Sequence, residues 1–150
     1  MSEQNSKAAT KKFLMQLYKN TKMGADAIID IMPKVANEEL KTELTSELER
    51  YEGFSKEIKA MLFDLGIEAQ EENAMTKMMT KVGISINTMI DASASHIADI
   101  MIQGATMGVT DTTKLVREYE NTSCSENALS LAKKIIHYEE STIEKLKEFL

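Results

Sequence analysis

The chain has 150 residues, 43% of them hydrophobic and 28% charged, with a formal net charge of −6. That length suits one domain with a proper core, and no apolar run nears the roughly 20 residues of a membrane span. An acidic balance without a basic cluster argues against duplex nucleic acid as a partner.

The lone cysteine, Cys124, rules out an intrachain disulfide and agrees with a reducing cytosol. The opening "MSEQNSKAATKK" lacks the apolar centre of a secretory signal, so a cytoplasmic location is expected. No tryptophan, one proline and eleven methionines favour an all-α protein, because methionine is a good helix former and a flexible core filler.

In chain order, residues 1–8 are polar and predict a flexible tail, leaving 9–150 as a single domain. A first helix is predicted from about Thr10 to Met32, ended by Pro33, which disfavours helical geometry in the residue before it. Asn37 is a predicted N-cap, with Glu38 and Glu39 favourably placed against the helix dipole. The second helix runs to about Leu65, with Gly66 as its C-cap. After the polar turn "EAQEEN" comes a methionine-rich amphipathic stretch from Ala74 to about Ile90. Asp91, Ser93 and Ser95 mark a stop and restart. A third long helix is predicted from about Ser95 to Asn121. The loop "NTSCSEN" follows, and Ser125 caps a last helix from about Glu126 to Leu150. Cys124, placed in that polar loop, is expected to be exposed and unreactive, with Cys124→Ser costing no more than about 0.5 kcal/mol.

Four long helices joined by short loops describe an antiparallel bundle. Two stretches then carry a resemblance. "ANEELKTELTSELERYEGFSKEIKAMLFDLGIEAQ" resembles the second helix of small bacterial ferritin-like domains of rubrerythrin type, including its "LG" ending and polar turn. "YEESTIEKLKEFL" resembles their last helix, and the helix order agrees along nearly the whole chain. The resemblance implies a ferritin-like antiparallel four-helix bundle with an additional short helix between the second and third. For members with intact ligands it also implies an iron or manganese di-metal centre that handles iron, oxygen or peroxide.

Such a centre uses a carboxylate from each of two helices and a Glu-x-x-His pair from each of the other two, about six side chains in all. Residues three, four and seven apart share a helix face, so the inward stripe of each helix can be inspected for ligands. The first stripe is Phe13, Leu17, Thr21, Gly24, Ile28, Ile31 and Val35, which leaves Asp26 and Asp30 on a solvated face. The second is Leu40, Leu44, Leu48, Tyr51, Ser55, Ile58, Leu62 and Leu65. Glu49 and Glu52 point away from it, and Glu47 lies near its border. The third is Ile97, Met101, Gly104, Gly108, Asp111, Leu115, Tyr119 and Thr122, and the last Ala128, Ala132, Ile135, Glu139, Thr142, Ile143 and Leu146.

Glu139 is therefore the one carboxylate central to a seam, with Thr142 where the resemblance expects histidine. A Leu48–Tyr51 pair stands where a Glu and a His are expected. The metal candidates are Glu139, Asp111 and Glu47. His96 falls at a helix start and His137 on the surface beside Glu140. Three oxygens without imidazole suit a weak hydrated divalent ion better than a redox pair.

The favoured reading is a metal-depleted, non-enzymatic bundle without cofactor that acts through protein contacts. Packing across the bundle is the favoured use of the stripe Met75, Met78, Met79, Val82, Ile86, Met89 and Ile90, and homodimerisation through that helix face is the alternative. The alternatives are an iron- or manganese-binding protein, and a bundle in which Gly24, Gly104 and Gly108 leave room for a small apolar ligand.

Overall fold

The structure, a computed structural model, describes residues 3–67 and 91–150. Among these it is all-helical. α1 spans Glu3–Ile31, α2 Glu38–Asp64, α3 Ala94–Tyr119 and α4 Glu126–Leu146, with short 3-10 turns at Met32–Lys34 and Lys147–Phe149. No described helix is long and apolar enough to cross a membrane.

Local chemistry sets the ends. Pro33 cannot supply the N–H that would continue α1, and the chain leaves through the 3-10 turn, with Val35 N–H bonded to Met32 O at 3.1 Å. Asn37 Oδ1 accepts from Leu40 N–H at 2.9 Å to start α2. α2 stops at Gly66, whose φ of +79° is open to glycine at little cost. The Ile67 and Gly66 amides there bond Leu62 and Phe63 carbonyls at 3.0 and 2.8 Å, a Schellman closure. Ser93 and Ser125 cap α3 and α4 by accepting from His96 and Ala128 amides at 3.2 and 3.4 Å.

α1 begins at Glu3, not near residue 10. Glu, Gln, Lys and Ala all favour helix, and the early turns are anchored: Ser6 Oγ donates to Ser123 O at 2.7 Å, and Thr10 Oγ1 accepts from Ser125 N–H at 2.9 Å. The expected tail over 1–8 is thus helical from Glu3 onward.

Two apolar clusters fill the interior. One gathers Phe13, Leu14 and Leu17 of α1, Phe54, Ile58 and Leu62 of α2, Leu115 and Val116 of α3, and the first half of α4. The other gathers Ile28 and Ile31, Leu40 and Leu44, Ile97 and Met101, and Leu146. The early part of α1 therefore shares an end with late α2, late α3 and early α4, so α1 and α4 run one way while α2 and α3 run the other. α1 packs against both α2 and α3, α3 against α4, and α2 meets α4. The Phe13 and Tyr119 rings meet edge to face at 5.5 Å, holding α1 to α3.

Several positions depart from the stripe reading. Asp26 is buried, at 8% exposure, although Asp30 is exposed as expected. Ala25, Asp26, Ala27 and Ile28 are all buried, and four consecutive residues cannot share one helix face, so this part of α1 is enclosed on several sides. Leu48 is only half-buried and its neighbour Glu47 takes the inward place; Thr112, likewise, replaces Asp111 in the interior. Thr122 lies beyond the end of α3 and is exposed. Cys124 is not exposed: at 6% it packs with the first cluster, because α1 runs back past the loop that carries it. Burial pushes its thiol above the ordinary range, so it is a core filler and a poor nucleophile. The near-neutral cost expected for Cys124→Ser loses its basis. The methionine-rich stretch lies outside the described residues.

Gly53 within α2 and Gly66 just past its end give opposite expectations. A Cβ at Gly53 meets nothing within 4 Å, so Gly53→Ala should stabilise by about 0.5–1 kcal/mol through helix propensity. Gly66→Ala should destabilise by about 1 kcal/mol, since alanine resists a positive φ. Urea midpoints of the two variants measure both; a shared sign would contradict the assignment of Gly66 as the helix stop.

Candidate functional site: a buried tyrosine–glutamate pair

Between the two apolar clusters lies a belt of buried polar residues: Thr21 on α1, Glu47 on α2, Thr112 on α3, and Glu139 and Thr142 on α4. The threonines of α1 and α4 are satisfied within their own helices. Thr21 Oγ1 donates to Leu17 O at 2.8 Å and Thr142 Oγ1 to Glu139 O at 2.8 Å. The carboxyls need partners from elsewhere. Tyr51, also buried, donates from its hydroxyl to Glu139 Oε2 at 3.0 Å, joining α2 to α4 across the interior.

That bond depends on two missing side chains. A Cβ at Gly24 of α1 would come within 2.9 Å of Tyr51 Cε1 and Cζ. A Cβ at Gly108 of α3 would fall on Glu139 Oε2 and lie 3.1 Å from the carboxyl carbon. α1 therefore yields space to the phenol and α3 to the carboxyl. Part of the room at these glycines is taken by the protein's own side chains, and the rest is open, since Gly24, Gly104 and Gly108 all line a cavity beside the pair. Tyr138 steadies the same region, with its ring edge to face against Tyr51 at 6.1 Å and Phe54 at 5.6 Å. The Arg50 guanidinium stacks 4.5 Å from the Phe54 centroid.

A cavity of about 70 Å³ adjoins the pair, and the three carboxylates singled out from the sequence, Glu47, Asp111 and Glu139, all line it. Their environments differ sharply. Glu47 and Glu139 are 3% and 5% exposed, whereas Asp111 is exposed and sits at the rim. Glu47 Oε2 is buried without a hydrogen-bond partner. Burial pushes the Glu47 carboxyl up to about 9, helped by the neighbouring Glu43 carboxyl and opposed by Lys145. Burial likewise raises Glu139 to about 7, against the Tyr51 hydrogen bond, which favours the charged form. Burial and the adjoining Glu139 hold the Tyr51 phenol well above its usual range, so it acts as a donor throughout the physiological window.

A di-metal centre does not fit this donor set. Neither histidine lines the cavity. His137 pairs with Glu140 on the surface at 3.7 Å, and His96 belongs to the first turn of α3. Glu139 Oε2 is engaged by Tyr51, and the Thr142 hydroxyl bonds its own helix backbone. No group of three acidic, histidine or cysteine side chains among the described residues is placed to hold a metal ion. The hydrogen bond and the two glycine clearances link four helices through contacts that residue spacing alone does not reveal.

No protein-family model matches the chain, and no curated protein matches it. Among solved structures, a conserved hypothetical protein, rv2844, from Mycobacterium tuberculosis is similar, with 14% identity, 100% of each chain covered and a TM-score of 0.65. At that identity the likeness speaks for the all-helical fold alone.

The clearance at Gly108 predicts a coupled effect. Gly108→Ala should cost about 2 kcal/mol by forcing Glu139 off Tyr51. In a Glu139→Ala background the same change should cost less than about 0.5 kcal/mol. A double-mutant cycle by denaturant unfolding measures this, and additive costs would contradict the contact.

The two raised carboxyls also make stability depend on pH. Each binds its proton more tightly in the fold than at the ordinary 4.5, so the native state carries protons the unfolded chain has released. The contribution favourable to folding is complete below about pH 4.5. It falls as pH rises, up to about 7 for Glu139 and up to about 9 for Glu47. Glu139→Gln should flatten the decline in melting temperature between pH 5 and 7 and stabilise the protein above that window, by on the order of 2–3 kcal/mol. An unaltered pH profile in the variant would count against a buried, proton-holding Glu139.

Proposed function

We propose that this protein is a metal-depleted, ferritin-like bundle that serves a structural or protein-binding role without catalysis, in a reducing compartment such as the cytoplasm. The observation that carries this reading is the Tyr51–Glu139 hydrogen bond in the polar belt, where ferritin-like centres place Glu-x-x-His ligands. Chain path supports the fold half of the proposal. Ile67 packs with one apolar cluster and Ala94 with the other, so the connection from α2 to α3 joins opposite ends of the helices. One long crossover between two helical hairpins is the arrangement of ferritin-like folds. Self-association of two copies through a helix face is part of this proposal.

Thermal melting with iron, manganese or zinc tests the proposal. The expected result is no saturable stabilisation by any of the three, in the wild type or in Glu139→Gln. A ligand that binds only the folded state raises its apparent stability by RT ln(1 + [L]/Kd). A saturable rise in the wild type that Glu139→Gln abolishes would therefore overturn the metal-depleted reading and favour an iron- or manganese-binding protein.

A further inference from the structure

We draw no further inference here: the strongest candidate, the cavity of about 70 Å³ beside the Tyr51–Glu139 pair with Met23, Met101 and Met107 in its wall, belongs to the site already described, and nothing in the structure shows what fills it.

Discussion

The hydrogen bond from Tyr51 to Glu139 governs the middle of this protein. Burying the Glu139 carboxyl among four helices costs less with a donor to it, and the Tyr51 phenol supplies one. Its geometry imposes demands on helices that take no part in the bond. A side chain at Gly24 of α1 would press on the Tyr51 ring and one at Gly108 of α3 on the Glu139 carboxyl, so either would force the pair to shift. Glycine within a helix costs about 1 kcal/mol relative to alanine. These two positions bear that cost for the sake of a contact made by others, and the belt therefore constrains all four helices together.

The belt also divides the interior. Below and above it the clusters are made of leucine, isoleucine, phenylalanine and alanine packed in the ordinary way, and each contains segments from all four helices. Non-directional apolar burial would accept many registers of one helix against another. A tyrosine that must reach one carboxyl oxygen, between glycines whose replacement would force the pair to shift, accepts far fewer. In this protein the polar layer supplies register and the two apolar clusters supply most of the cohesion.

Much of the fold was readable from residues whose effects are local. Pro33, Asn37, Gly66 and Ser125 act on the backbone within a few positions of themselves, and each does in the structure what its chemistry dictates. Glu139 was readable as an inward carboxylate because α4 has one clean apolar stripe. The misreadings arose where a helix has more than one buried side or a loop is covered by something distant in sequence. Asp26 lies on such a part of α1, and Glu47 displaces Leu48 from the stripe assigned to α2. Cys124 is buried by contacts with α1, about 110 positions earlier, where Thr10 also binds Ser125. The functions of Gly24 and Gly108 are illegible in one dimension, since a glycine records what its neighbours need and not what it does itself.

The direction of the chain has a consequence for how the molecule assembles. α1 and α2 form one local hairpin and α3 and α4 another, whereas Tyr51 belongs to the first and Glu139 to the second. Each hairpin can gather its helices through contacts close in sequence, the kind that form fastest. Neither can form the pair alone: the first hairpin carries Tyr51 without Glu139, the second Glu139 without Tyr51. Docking of the halves is thus the step at which both groups become simultaneously dry and matched. A spectroscopic change at Tyr51 arising from its bond to Glu139 reports the meeting of the two halves rather than the formation of any helix.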